Sequence, residues 1–125
     1  MSEITSIPFN DNYRRIATEE AWAPPELLKM YADLTNSGKI DDPGFDSLWG
    51  FYGTSNAERP ATVRRRLADL DEERLADMDA AGIDFAVLAL TSPGVQVFDR
   101  DTAVSVAKDS NDIVKAAVDR HPDRY

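Results

Sequence analysis

Six consecutive apolar residues, Phe85-Ala86-Val87-Leu88-Ala89-Leu90, limit what this chain can fold into more than any other feature. They are bounded by Gly82-Ile83-Asp84 and by Thr91-Ser92-Pro93-Gly94. A half-exposed strand alternates apolar and polar residues, so an unbroken run of this length predicts a parallel strand buried on both faces. A parallel neighbour needs a crossover connection, and the sequence upstream supplies one. Arg15 to Thr18 reads as a short first strand running into two adjacent carboxylates, Glu19 and Glu20. Pro24-Pro25-Glu26 then starts a helix, with proline in the first turn and an acid at the positive end of the dipole. Leu27, Tyr31 and Leu34, flanked by Leu28 and Met30, form its apolar stripe, and Asn36-Ser37-Gly38 stops it.

From Lys39 to Glu58 there is no sustained period, and Asp41-Asp42-Pro43-Gly44 is a turn cluster. This stretch reads as a long loop carrying an aromatic knot, Leu48-Trp49-Gly50-Phe51-Tyr52-Gly53, suited to folding over a pocket. A single long helix is predicted from Pro60 to about Ala81, ended by Gly82, with Val63, Leu67, Leu70, Leu75 and Met78 turned inward. Its charge runs, Arg64-Arg65-Arg66 and Asp71-Glu72-Glu73, read as a solvated face with i,i+4 partners such as Asp69 and Glu73. The last helix begins near Asp99 or Asp101, buries Ala103, Val106, Ala107, Ile113, Val114 and Ala117, and stops at Pro122. Strand, helices, strand, helix is the order of a parallel α/β protein with right-handed crossovers. Residues 1–12 are polar and rich in turn formers and read as a flexible arm; residues 13–125 read as one domain.

At 125 residues the chain can hold one core but is too short for a whole (β/α)8 barrel of about 250 residues. Its formal charge of -9 repels phosphate, which argues against nucleic acid or an anionic membrane as partner and for a small molecule. There is no cysteine for disulfides, thiolate metal sites or nucleophilic catalysis, no secretory signal pattern and no apolar run of about 20 residues. A cytoplasmic location is consistent with all of this.

In a parallel α/β fold the carboxyl ends of the strands share one face, so Glu19-Glu20 are expected beside Thr91-Ser92, with the aromatic knot and Arg59 closing over them. Each of these residues has two readings. Glu19 is either an oxygen ligand for a hard divalent cation or a strand-end acid that caps a helix or pairs with an arginine. Arg59 is either a bidentate clamp for a substrate carboxylate or a surface ion pair. Thr91 and Ser92 either bond a ligand or satisfy the turn at Pro93-Gly94. Trp49, Phe51 and Tyr52 either wall a pocket for a flat ligand or plug the core under a loop. His121, the one histidine, sits at the negative end of the last helix, which is a sufficient structural reason for it. No phosphate-binding glycine loop, paired-histidine metal motif or Ser-His-Asp set is present.

Four ordered segments add a resemblance. They are Arg15-Ile16-Ala17-Thr18-Glu19-Glu20-Ala21, Ser47-Leu48-Trp49-Gly50-Phe51-Tyr52, Ala76-Asp77-Met78-Asp79-Ala80-Ala81-Gly82-Ile83-Asp84 and Leu88-Ala89-Leu90-Thr91-Ser92-Pro93-Gly94-Val95-Gln96. Together they resemble the amino-terminal part of the 5-carboxyvanillate, γ-resorcylate and 2,3-dihydroxybenzoate decarboxylases of the amidohydrolase superfamily. The likeness runs from about Tyr13 to His121-Pro122-Asp123-Arg124-Tyr125, which matches the family just before its third strand. It implies the first two βα units of a metal-dependent (β/α)8 TIM barrel, with an inserted helix and loop after strand one and the barrel incomplete. It further implies that Glu19 is the sole metal ligand from strand one, because Ala21 stands where relatives often carry a histidine. By the same resemblance Arg59 holds the substrate carboxylate, and Leu48, Tyr52 and Thr91 line the pocket. The other ligands and the general acid have no counterpart in these residues. The implied cofactor is a divalent metal, Mn2+ first and Zn2+ or Mg2+ as alternatives. The implied reaction is non-oxidative loss of CO2 from an ortho-hydroxybenzoate such as 5-carboxyvanillate, in a homo-oligomer, with the isolated chain inactive. Two rivals stand beside it: a lactone or amide hydrolase of the same superfamily, and a non-catalytic acidic α/β module.

Overall fold

A computed structural model describes residues 12–125. In order it holds β1 (Ile16–Trp22), α1 (Pro25–Ser37), α2 (Pro43–Tyr52), α3 (Glu58–Ala68), α4 (Glu72–Ala81), β2 (Phe85–Leu90) and α5 (Arg100–Arg120). β1 and β2 form a parallel two-stranded sheet, so the chain is α/β with the crossover between strands made by four helices. The expected arm falls, apart from Asn12, outside the described residues. No described helix is long and apolar enough to cross a membrane.

Several elements form where the sequence places them. α1 has proline in its first turn, buries Leu27, Leu28 and Tyr31, and ends at Gly38 with φ of 63°, a left-handed conformation that other side chains rarely adopt. β2 covers the apolar run end to end. Asp99 caps α5 by accepting the backbone N–H groups of Asp101 and Thr102 at 3.1 and 3.0 Å.

Others differ, each for a local reason. β1 does not end at Thr18 but continues through Glu19 and Glu20 to Trp22, because β2 offers a parallel edge as far as Leu90. The stretch 39–58 is not a loop throughout: Asp42 accepts the Phe45 N–H at 3.0 Å, Pro43 takes the first turn, and α2 forms with Phe45 and Trp49 buried one turn apart. The stretch expected to hold one helix and a loop after strand one therefore holds two helices, α1 and α2. The helix expected over 60–81 is two helices broken at 69–71. There the Asp69 carboxylate accepts the backbone N–H groups of Asp71 and Arg74, at 3.2 and 2.7 Å, in competition with the helical ladder. The charge runs consequently pair between helices: Arg65 with Glu73, and Arg66 with Asp77. Ile113, expected inside, is 39% exposed on α5.

Two apolar clusters hold the fold. Trp22, Leu70, Met78, Ala86, Ala117 and Tyr125 pack between the sheet and helices α4 and α5. Ala23, Leu27, Leu28, Tyr31, Phe45 and Trp49 join α1 to α2, and Leu90 touches both clusters. Each fully buried large side chain contributes roughly 1.5–3 kcal/mol. The last residues return to the sheet: the Arg124 carbonyl accepts the Ala86 N–H at 2.8 Å, and the Tyr125 hydroxyl donates to the Leu70 carbonyl at 2.9 Å.

The strands are not covered on both faces. Ile16 and Val87 are 54% and 46% exposed, and Ala21 and Ala89 are exposed beside them. An apolar sheet face without a covering layer favours association. The 125-residue chain is expected to sediment as a concentration-dependent oligomer, and a monodisperse monomer with a sharp melt would contradict this. A second prediction comes from Asp71. Hydrogen bonds from His121 at 2.7 Å and from Arg120 at 3.1 and 3.2 Å hold its carboxyl below the usual range. A folded-state value below the unfolded one gives stability that is present above the ordinary aspartate range and lost as pH falls through the folded value. Because Asp71 is half exposed, the effect is at most about 1 kcal/mol. Melting curves should show Asp71→Asn less stable than wild type near neutrality, with the gap closing in acid.

Candidate functional site

The geometry that sorts the two acids is an irregularity in β1. Ala17 pairs with Ala86, Glu20 with Leu88 and Trp22 with Leu90, so three steps along β1 match two along β2. Successive strand residues face opposite sides, and one extra residue reverses that alternation. Ala17, Glu20 and Trp22 therefore share the helix-covered side of the sheet with Ala86, Leu88 and Leu90. Glu19 and Ala21 lie on the other side, the exposed face of Val87 and Ala89. Glu19 and Glu20, expected as a strand-end pair, lie inside the strand on opposite faces.

The end of β1 is fixed by an arginine of α4 that no local sequence signal marks. The Trp22 carbonyl accepts the Thr91 N–H at 2.8 Å on the β2 side, so the preceding Ala21 carbonyl faces the open edge. Arg74 of α4 donates to it at 2.9 Å. The same guanidinium bonds the Arg66 carbonyl at 3.1 Å and the Asp69 carbonyl at 2.8 Å. One side chain thus ties the α3–α4 break to the strand that carries Glu19. Between them lies a cleft of about 860 Å³ with Glu19, Glu20, Val63, Leu67 and Met78 in its walls.

Thr91 and the aromatic residues do come together. Thr91 is half-buried and bonded to the end of β1, and the indole of Trp49 donates to the Ser92 carbonyl at 3.2 Å. The Tyr31 hydroxyl donates to the Gly94 carbonyl at 2.5 Å. Trp49 is 2% exposed, so it plugs the core rather than walling a pocket. Leu48 and Phe51, on the open side of α2, are 44% and 48% exposed, and half-buried Tyr52 meets Phe51 edge to face at 5.1 Å. Arg59 stands in the first turn of α3, exposed, with no hydrogen bond or ion pair to another described residue. Its neighbour Pro60 is fully buried and anchors that turn. His121 ends α5 bonded to Asp71, which extends its expected structural role.

A divalent cation of the hard class takes six or more oxygen donors. Among the described residues no three His, Cys, Asp or Glu side chains gather to hold a metal. The donor chemistry of Glu19 fits one ligand of such a set and these residues alone do not make the set.

The parallel β1–β2 pair joined through helices puts the chain in the α/β class. Comparison with known proteins then narrows it. No family model matches. A 5-carboxyvanillate decarboxylase from Novosphingobium aromaticivorans DSM 12444, solved with manganese and 4-hydroxy-3-methoxy-5-nitrobenzoic acid, is 50% identical at a TM-score of 0.84, over 90% of this chain and 32% of that one. A second, from Sphingomonas paucimobilis, is 33% identical at a TM-score of 0.75, over 89% and 32%. A γ-resorcylate decarboxylase of Rhizobium radiobacter is 33% identical over 112 residues, 89% of this chain and 28% of that protein. Over 89–90% of its own length the chain is similar to the amino-terminal part of these hydroxybenzoate decarboxylases, and it spans about a third of the length of those relatives.

Arg74→Ala would leave the carbonyls of Ala21, Arg66 and Asp69 without their donor. Each unmet buried acceptor costs about 1–3 kcal/mol, reduced here by solvent access. Denaturant titration should give a loss of about 2 kcal/mol or more, with Arg74→Lys recovering part of it. A loss below about 0.5 kcal/mol, the usual range for surface substitutions, would remove Arg74 from this role.

Proposed function

We propose that this chain forms the first two βα units of a metal-dependent (β/α)8 barrel that removes CO2, without oxidation, from an ortho-hydroxybenzoate such as 5-carboxyvanillate. The observation that carries the reading is the 50% identity at a TM-score of 0.84 to a 5-carboxyvanillate decarboxylase solved with manganese and a hydroxy-methoxy-nitrobenzoate. Glu19, on the sheet face of Val87 and Ala89, would give one oxygen ligand to a divalent ion, Mn2+ in this reading. When bound, that ion supplies a Lewis acid for the phenolic and carboxylate oxygens of the substrate. Arg59, a fork of donors with no partner among the described residues, would hold the substrate's second carboxylate by two parallel hydrogen bonds. Leu48 and Tyr52 would wall the flat ring from α2, and Thr91 would bond it from the β2 end. The remaining ligands and the proton donor come from outside these 125 residues, so the chain alone is expected to show no turnover. The enclosed active form would be a homo-oligomer.

The test is a chimera in which this chain replaces the matching segment of the Novosphingobium decarboxylase. It should release CO2 from 5-carboxyvanillate and leave simple lactones untouched; lactone opening without CO2 would replace this reading with a hydrolase. In the chimera Glu19→Gln should lose most of its metal by elemental analysis and all turnover, whereas Glu20→Gln, on the helix-covered face, should be mild. Arg59→Ala and Arg59→Lys should cost about 2–5 kcal/mol in kcat/KM while metal stays bound. Full metal occupancy in Glu19→Gln would remove Glu19 from the ligand set.

A further inference from the structure

The turn after β2 is gripped by two side chains of the inserted helices. Tyr31, 0% exposed, donates its hydroxyl to the Gly94 carbonyl at 2.5 Å, and Trp49, 2% exposed, donates its indole N–H to the Ser92 carbonyl at 3.2 Å. These contacts join residues 63 and 43 positions apart in the chain. The ring bodies are themselves fixed. Tyr31 meets Phe45 edge to face at 5.6 Å, lies 4.7 Å from Trp49, and stacks on Phe98 at 6.0 Å and 11°. A buried ring held on three sides has few rotamers left, so its polar tip is a donor at a set point. Burial also pushes the Tyr31 hydroxyl well above the usual tyrosine range, so it stays protonated and remains a donor.

Thr91 is the residue these contacts surround. Its N–H donates to the Trp22 carbonyl at 2.8 Å, and its carbonyl accepts the Gly94 N–H at 2.8 Å. The backbone of Thr91 is thus bonded to the end of β1 on one side and to a turn on the other, and that turn is held in place by Tyr31 and Trp49. We propose that Tyr31 and Trp49 are positioning residues, which set the location of Thr91 and so the reach of the β2 end toward the ring of a bound aromatic acid. This role rests on the reading of Thr91 as a substrate contact. Neither ring needs to touch the substrate, and the two inserted helices become the part of the fold that tunes the pocket from below.

Two measurements test this. In the 125-residue chain, Tyr31→Phe and Trp49→Phe should speed amide exchange of residues 91–98 by about tenfold, the equivalent of one hydrogen bond, while amides of the β1–β2 ladder keep their wild-type rates. In the decarboxylase chimera the same variants should raise KM for 5-carboxyvanillate by about tenfold with kcat and metal content nearly unchanged. Thr91→Ala separates the two layers of the proposal. If Thr91→Ala leaves KM unchanged, the substrate-contact reading fails. If it raises KM but Tyr31→Phe and Trp49→Phe do not, the positioning role fails. Exchange that accelerates evenly through both apolar clusters would reduce the two rings to core packing and overturn the proposal as well.

Discussion

One extra residue in β1, between Ala17 and Glu20, decides what the two acids of the first strand can do. With regular alternation Glu19 would share a face with Ala17 and point at the cluster of Trp22, Met78, Ala86 and Ala117. An unpaired carboxylate there would cost several kcal/mol. The irregularity instead sends Glu19 to the face of Val87 and Ala89 and leaves Glu20 on the helical side, half-buried beside α3 and α4. Arg74 then fixes the Ala21 carbonyl just beyond, so the irregular segment is pinned by its own helix pair rather than by β2 alone. The break between α3 and α4 serves the same end, because a continuous helix would not turn the Arg66 and Asp69 carbonyls toward one guanidinium.

Helices α1 and α2 solve a different problem. A turn at a strand end exposes carbonyls that no sheet neighbour can reach, and water would ordinarily take them. Here the polar tips of Tyr31 and Trp49 reach two of those carbonyls from inside the second cluster, so that cluster is both core and support for the turn. The same helix that buries Trp49 turns Leu48 and Phe51 outward, which is why one short helix contributes to packing on one side and to a candidate ring-binding wall on the other.

How much of this the sequence displays depends on whether the signal is local. The apolar run 85–90 has one physical solution, and β2 lies there residue for residue. Asp99 and Gly38 mark their helix ends because capping and positive φ are properties of single positions. α2 was legible in principle: Asp42-Pro43 is a start signal and Phe45 with Trp49 is one helical turn, but Gly44, Gly50 and Gly53 dilute the propensity and suggest a loop. The break at 69–71 turns on whether the Asp69 carboxylate bonds the backbone or the solvent, which propensity does not resolve. Strand register is not local at all. The shift in β1 exists only against β2, so a reading of one strand could name Glu19 and Glu20 but not separate them. Arg74 was hidden for the same reason, since its partner lies 53 residues away.

The exposure of Glu19 links covering of the sheet to metal chemistry. On the bare face of this chain its charge is solvated, and nothing in the described residues requires a cation beside it. The neighbouring Ile16, Val87 and Ala89 pull the other way, since their exposed apolar surface favours covering by further strands or another chain. Covering them strips water from Glu19 too, and the desolvation of an unpaired carboxylate opposes the closure that the apolar residues favour. A divalent ion held by Glu19, as proposed, would remove that opposition. Enclosure of the face and binding of the metal should therefore be thermodynamically coupled, each strengthening the other, as metal sites assembled on folding generally are.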